Sequence, residues 1–348
     1  MHPISVFTLA AAFGSTTLLA ACTGNPPGQA SLVPSSFASE GLAAHSKGRA
    51  NPLVVCEQAR RLRARMANGR LAKSAGSPYL YVADSCEPAI DVLQSKTYYE
   101  VGSITNGVSN PGGIFADAKG NLYVFNAVNG GLGSGNVTEY APDNWSEPIF
   151  TYNADTYDAT AVTVDAHGNV YEGVYGNLSG SINEYYQQQN VAASCSIGSL
   201  TASGLAVDGQ NDVFAELPNS NGSAFELVEY VGGLNTCGQT VLPLPSADMD
   251  GGTIALDKNG NLLIANGPTV EVVDAPGYST VNAAIGTGFG CANNVTLNKA
   301  NTLAFVTDIC NDTVTVVNYP SGTNATVLGT GNGIFDPVAA VEHPNAVY

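Results

Sequence analysis

The chain has 348 residues, of which 12% are charged, and a formal net charge of −17 at pH 7. A chain of this length buries a sizeable core as one large all-β domain or as two ordinary domains, and its abundant Gly, Asn, Thr, Ser and Tyr favour strands and turns. Residues 77–348 hold four lysines and 27 acidic residues, a net charge of −23. So acidic a surface repels phosphate backbones and argues against nucleic acid as a partner.

The N-terminus has the pattern of a cleaved leader. Residues 1–21 contain no Lys, Arg, Asp or Glu, and the apolar stretch ISVFTLAAAF is too short to span a bilayer, so we predict a signal peptide. The sequence Leu19-Ala20-Ala21-Cys22 follows directly and resembles the lipobox of bacterial lipoproteins. That resemblance implies that Cys22 is lipidated and anchors an extracytoplasmic protein to a membrane. The alternative is an ordinary secretory peptide cut after Ala21, which gives a secreted protein with Cys22 free to pair.

Two further segments precede the large domain. Residues 22–52 are rich in Pro, Gly, Ser and Ala without periodicity, which predicts a flexible linker with a reach of roughly 30 Å. Residues 53–76 predict one short basic amphipathic helix, with Arg60, Arg61, Arg63 and Arg65 outside its apolar face. This helix either docks on the acidic domain beside it or lies against anionic lipid headgroups near the anchor.

Residues 77–348 contain an internal repeat. Each copy has an apolar strand, an Asp, a tight polar turn and a second apolar strand, as in FADAKGNLYVFN (115–126), TVDAHGNVYEGV (163–174), AVDGQNDVFAEL (206–217) and ALDKNGNLLIAN (255–266). A looser copy follows at 296–308, and a truncated one ends the chain. The Asp suits the turn because its carboxylate accepts hydrogen bonds from backbone N–H groups two residues on, and Gly or Asn follows where φ is positive.

A third and a fourth strand follow each copy, so every repeat supplies four strands. Sheets this small bury both faces when they are arranged radially, which predicts a β-propeller of four-stranded antiparallel blades. The N-terminal copy begins in its second strand at YLYVADS (79–85), and the C-terminus stops after a first strand. We therefore predict six blades, with PVAAVEH (337–343) supplying the innermost strand of blade one and closing the ring.

The turns with the pattern D-x-x-G-N-[LV]-Y, at Asp117 and Asp165, resemble those of six-bladed propellers of the NHL-repeat and gluconolactonase-like superfamily. The gluconolactonase-like resemblance implies one divalent cation, such as Ca²⁺, held by Asp, Glu and Asn side chains at the mouth of the central channel. The candidate ligands fall at strand ends facing that mouth: Asp84, Asn126, Asn266, Asp308, Asp158, Asp250 and Asp336. The alternative is that these residues cap strands and solvate loops.

Six cysteines remain when Cys22 is set aside. Cys291 and Cys310 flank an antiparallel hairpin of blade six, and we predict a disulfide between them. Cys86 occupies the place in blade one that matches Cys310, and Cys56 on the basic helix is its candidate partner. Cys195 and Cys237 begin the outer strands of neighbouring blades, where the rim normally separates such positions, so they are either the remaining pair or free thiols.

No catalytic residue can be assigned. The sequence lacks G-x-S-x-G, H-E-x-x-H and Walker motifs, so we predict a surface-anchored binding or scaffold propeller rather than an enzyme. We expect a monomer that takes a protein, a glycan or a small molecule on the top face of the propeller. The alternatives are a metal-dependent lactonase and an envelope protein whose acidic rim docks on a basic partner.

Overall fold

The structure is a computed structural model that describes residues 78–343, apart from 87, 128–134, 143, 154–157, 177–178, 190, 199, 219–224 and 245–250. The predicted signal peptide, linker and basic helix, with Cys22 and Cys56, lie outside the described residues. Within those residues the chain forms 24 strands and one short 3₁₀ helix, Thr330–Asn332.

The strands form the six four-stranded antiparallel blades of a propeller, as predicted. Blade one contains β1 (Tyr79–Asp84), β2 (Ala89–Gln94) and β3 (Glu100–Ile104). Blade two contains β4 (Pro111–Ala116), β5 (Leu122–Asn126), β6 (Asn136–Tyr140) and β7 (Phe150–Asn153). Blade three contains β8 (Asp158–Val164), β9 (Val170–Gly176), β10 (Ser179–Tyr185) and β11 (Val191–Gly198). Blade four contains β12 (Gly204–Val207), β13 (Val213–Pro218), β14 (Phe225–Tyr230) and β15 (Gln239–Val241). Blade five contains β16 (Ile254–Leu256), β17 (Leu262–Asn266), β18 (Thr269–Val273) and β19 (Val281–Ile285). Blade six contains β20 (Ala292–Leu297), β21 (Leu303–Asp308), β22 (Thr313–Asn318) and β23 (Thr323–Leu328).

The ring closes through the last strand, β24 (Pro337–His343), which completes blade one. It pairs antiparallel with β1 and places Val341 opposite Tyr81. This confirms the prediction that PVAAVEH supplies the innermost strand of blade one. Strands from the two ends of the domain therefore share one sheet, which holds the ring together without a covalent bond.

The polar turns between the first and second strands have the predicted chemistry. In blade two, the Asp117 carboxylate accepts hydrogen bonds from the backbone N–H groups of Lys119 at 2.9 Å and Asn121 at 2.8 Å. Gly120 has a φ of 92°, which favours glycine. The carboxylates of Asp165, Asp208 and Asp257 accept the N–H two residues on in the same way. Each turn therefore satisfies its own backbone and sets the register of one blade.

The hydrophobic core lies between the blades. Along β1, Leu80 and Val82 pack with Phe305 of blade six, while Tyr81 packs on the opposite side with Val124 of blade two. Successive side chains of a strand point to opposite faces, and here both faces are covered by a neighbouring blade. This double burial explains why the second strands are almost continuously apolar in sequence.

Candidate functional site

The propeller has two faces. The loop face carries the connections from the fourth strand of one blade to the first strand of the next, and from the second strand to the third. The turn face carries the Asp turns described above. The loop face is the top face on which the sequence predicted ligand binding.

A narrow channel runs along the propeller axis. The innermost strands line it with uncharged side chains such as Phe115, Val162, Thr253, Ala255 and Thr296, and its volume is about 80 Å³. Small-molecule sites usually measure about 300–1,000 Å³. The volume enclosed by these innermost strands is therefore below the usual range for small-molecule sites.

Four of the candidate ligands occupy matched positions at the channel mouth. Asp84, Asn126, Asn266 and Asp308 are the last residues of the second strands of blades one, two, five and six. All four are buried. Repeat symmetry therefore places them equivalently around the axis, as the sequence suggested.

Their hydrogen bonds identify two of them as loop caps. The Asp308 carboxylate accepts the backbone N–H groups of Gly290 at 2.7 Å, Cys291 at 3.0 Å and Cys310 at 3.1 Å. The Asp84 carboxylate accepts those of Cys86 at 2.9 Å and Phe335 at 3.2 Å. A hard cation needs carboxylate lone pairs that point into a shared cavity. In both residues these lone pairs point at backbone amides of the adjoining loops.

Two more of the candidates are hydrogen-bonded to neighbouring loop residues. The Asn126 side-chain oxygen accepts the Ser109 N–H at 2.8 Å, and the Asp336 carboxylate accepts a hydrogen bond from the Ser85 hydroxyl. The side chain of Asp158 and all of Asp250 lie outside the described residues. Across the part of the chain that the structure describes, no three His, Cys, Asp or Glu side chains are placed to share a metal ion.

Two disulfides join described residues. The structure bonds Cys291 to Cys310, the two residues that flank the hairpin of blade six. It also bonds Cys195 to Cys237, with their Cα atoms 5.4 Å apart. Of the two alternatives that the sequence left open, the structure therefore shows the remaining pair, and the rim does not separate these positions.

The connection between β14 and β15 explains the second bond. Residues 231–238 extend from blade four toward blade three, and buried Leu234 packs in the same apolar cluster as Cys195 and Ile197. This contact brings Cys237 to the outer strand of the neighbouring blade. The bond therefore links two blades, whereas Cys291–Cys310 lies within one.

Sequence reasoning missed a set of buried glutamates between the blades. The hydroxyl of Tyr152 donates to Glu139 at 2.9 Å, and that of Tyr185 donates to Glu172 at 2.9 Å. The second carboxylate oxygen of Glu172 is buried and accepts no hydrogen bond from the described residues, and burial raises the pKa of this residue to about 8. The signal was an acidic residue inside an apolar strand, as in VTEY, VYEG and INEY. These glutamates lie away from the channel, so we assign them to blade packing.

The fold and these contacts define a six-bladed β-propeller whose described mouth residues brace its loops. No protein-family model matches the sequence, and no curated protein matches it. Solved structures with a similar fold include a protein of unknown function from Bacteroides caccae, with a TM-score of 0.58 and 10% identity over 77% of this chain and 99% of that one. Another comes from a nidogen/laminin complex, with a TM-score of 0.56 and 9% identity over 76% of this chain and 98% of that one. At this identity the likeness shows the fold alone.

Two observations bear on location. The disulfides indicate an oxidising compartment outside the cytoplasm. The described residues include no helix long and apolar enough to cross a membrane.

Proposed function

We propose that this protein is a binding or scaffold propeller, anchored outside the cytoplasm through a lipid on Cys22, that binds a basic macromolecular partner. The observation that carries the proposal is the use of Asp84 and Asp308 as loop caps beside an uncharged channel. These hydrogen bonds hold the loops at the channel mouth in place, so the mouth forms a rigid surface. Its buried acids are already hydrogen-bonded to the loops.

Size and charge favour a macromolecule as the ligand. A channel of about 80 Å³ between the innermost strands is smaller than the usual small-molecule site, which favours binding on the outer surface. The net charge of −23 over residues 77–348 attracts cationic partners and speeds their association. The nidogen/laminin complex contains a structurally similar propeller within a protein assembly, so a role in protein binding suits the architecture.

The proposal also includes the lipid anchor on Cys22 and membership of a propeller superfamily. The Leu19-Ala20-Ala21-Cys22 sequence after an apolar leader supports lipidation at Cys22. The D-x-x-G-N turns support placement among NHL-repeat and gluconolactonase-like propellers. The chain thus shares the Asp turns of that superfamily and uses the propeller fold for binding.

Calorimetry tests the proposal against the lactonase alternative. The full chain is titrated with Ca²⁺, with a panel of lactones and with poly-L-lysine, and poly-L-glutamate serves as the matched control. We expect heat only with poly-L-lysine, weakening as salt rises because surface charge is screened. One-to-one Ca²⁺ binding tighter than about 1 mM, together with lactone hydrolysis that Asp308→Asn abolishes, would instead establish a metal-dependent hydrolase.

A further inference from the structure

Four exposed apolar side chains lie at one repeated position on the turn face. Counting from the channel, each belongs to the connection from the third to the fourth strand of its blade, and the blades are consecutive, from one to four. The exposed fractions are 69% for Tyr99, 44% for Ile149, 46% for Tyr186 and 61% for Val231. Single exposed apolar residues are common, but repetition at one structural position in adjacent blades indicates a shared contact surface.

The same connection folds back onto the blade in blades five and six. Tyr278 is buried, and its hydroxyl donates to the Gly260 carbonyl at 3.1 Å. The half-buried Tyr319 donates to the Asp257 carboxylate at 2.7 Å. An aromatic side chain in this connection can therefore be covered by the propeller itself. The exposure in blades one to four is thus a property of those connections and is not imposed by the fold.

The lysines of the propeller lie on the same face. Residues 77–348 contain four lysines and no arginine. One lysine lies between β2 and β3, and the other three lie in the turns between first and second strands, so the set is Lys96, Lys119, Lys258 and Lys299. All four are exposed. The connections of the loop face therefore contain neither lysine nor arginine.

Most acidic side chains of the turn face point into their own blades. Asp117, Asp165 and Asp257 are buried, and each accepts backbone N–H groups within its turn. The half-buried acidic residues of these connections are Asp208, Asp212 and Asp274. Among the turn-face connections that the structure describes, Glu147 supplies the one exposed carboxylate. The exposed charge of the described turn face is therefore mainly positive, although the domain as a whole is acidic.

We propose that the turn face is the membrane-facing side of the propeller. The four apolar side chains enter the headgroup region of a bilayer, and the four lysines pair with anionic headgroups. These eight residues are spread over all six blades, so a broad, flat surface contacts them together, whereas a peptide does not. Tyrosine is typical of membrane interfaces, and apolar contact combined with basic residues is how proteins bind membrane surfaces.

The path of the chain supports this orientation. β1 begins at the turn face, where Tyr79 pairs with His343, so the chain enters the propeller from this side. The proposal rests on the proposed function in one respect, since a lipid on Cys22 tethers the protein from that same side. A tether raises the local concentration of the turn face at the membrane, so individually weak contacts suffice. The loop face then points away from the membrane, toward the basic partner.

Vesicle co-sedimentation tests the surface without the anchor. The full chain with Cys22→Ser is mixed with vesicles of phosphatidylcholine, with and without phosphatidylglycerol. Changing all four apolar residues to Ser is expected to weaken binding at least about tenfold, because less apolar area enters the bilayer. Changing all four lysines to Gln is expected to weaken binding to the anionic vesicles at least about 25-fold, since each lysine contributes about fivefold, and to reduce its salt dependence.

Val327 supplies the matched control. It is 55% exposed but lies on the outer strand β23, outside the turn-face connections, so Val327→Ser should bind vesicles like the parent chain. Equal binding of the parent and both fourfold variants would overturn the proposal, because other residues then hold the vesicles. If the apolar-to-Ser variant instead changes the oligomeric state in light scattering and leaves vesicle binding unchanged, the face binds a second copy, and the proposal also fails.

Hydroxyl-radical footprinting tests the orientation of the tethered wild type. Tyr99 and Tyr186 should be oxidised at least about threefold more slowly on vesicles than in the Cys22→Ser chain in solution, whereas Val327 should not change. This measurement also decides the case in which the untethered chain binds too weakly to sediment, and equal oxidation rates would overturn the proposal. If the wild type carries no lipid, the proposed anchor fails, and vesicle binding by the Cys22→Ser chain still decides the role of the face.

Discussion

The Asp308 carboxylate accepts the backbone N–H of Cys291 at 3.0 Å and so ties the loop that enters blade six to the end of its second strand. Asp308 is fully buried, so its loss leaves several amides without an acceptor. We expect Asp308→Ala to lower the free energy of unfolding by about 3 kcal/mol. Asp308→Asn should cost less because its amide oxygen still accepts.

Urea denaturation measures both variants. The exposed Glu147 supplies a control, and Glu147→Ala should change the stability by less than about 0.5 kcal/mol. If Asp308→Ala leaves the free energy of unfolding unchanged, the carboxylate does not hold the loops in place, and a role in ligand binding explains it better.

The two disulfides between described residues should differ in their effect on stability. Cys195–Cys237 closes a longer segment, with a sequence separation of 42 against 19 for Cys291–Cys310. Chain entropy gives about 4 kcal/mol for the longer loop and about 3 kcal/mol for the shorter one. We expect the double alanine variant at Cys195 and Cys237 to unfold at the lower urea concentration. If the variant that lacks Cys291–Cys310 unfolds at the lower urea concentration instead, the disulfide within blade six contributes more to stability than the disulfide between blades three and four.

Glu172 should make stability fall as the pH rises. Burial raises the pKa of Glu172 from 4.5 to about 8, so the folded state favours the protonated form. Its contribution is complete below pH 4.5 and is lost as the pH rises toward 8, a change on the order of 4 kcal/mol. Glu172→Gln keeps a polar group for the Tyr185 hydroxyl and removes the charge.

Urea denaturation at pH 5, 6.5 and 8 checks this expectation. The stability difference between Glu172→Gln and the wild type should grow in favour of the variant as the pH rises. Glu139 and Glu184 also have raised pKa values because of burial, so the difference between the two proteins isolates Glu172. Glu147→Gln should follow the wild-type curve, and a pH-independent difference for Glu172→Gln would contradict the assignment.

Ring closure should depend on the strand borrowed from the C-terminus. Val341 in β24 is fully buried opposite Tyr81, whereas Val327 on the outer strand β23 is 55% exposed. A buried unpaired carboxylate is costly, so Val341→Asp should lower the free energy of unfolding by at least about 3 kcal/mol. Val327→Asp, the same change on an open edge, should stay within about 1 kcal/mol. Thermal unfolding compares the pair, and similar losses would mean that β24 is not needed for closure.

Most of the fold could be predicted from the sequence because its signals are local. Each Asp turn satisfies its own backbone within about five residues, and the alternation of apolar residues follows from the strand geometry. A repeat of such units determines the blades. The incomplete copies at the two ends determine how the ring closes.

The roles of the residues at the channel mouth and the pairing of the cysteines depend on contacts between distant segments of the chain. The sequence placed Asp84 and Asp308 at the channel mouth, but the loops ending at Phe335 and Cys291 decide that their carboxylates cap amides. The reach of residues 231–238 across the rim decides that Cys195 and Cys237 meet. Strand periodicity says which face a side chain takes, whereas its partner depends on how far each loop extends over the neighbouring blade, and only the packed ring determines that.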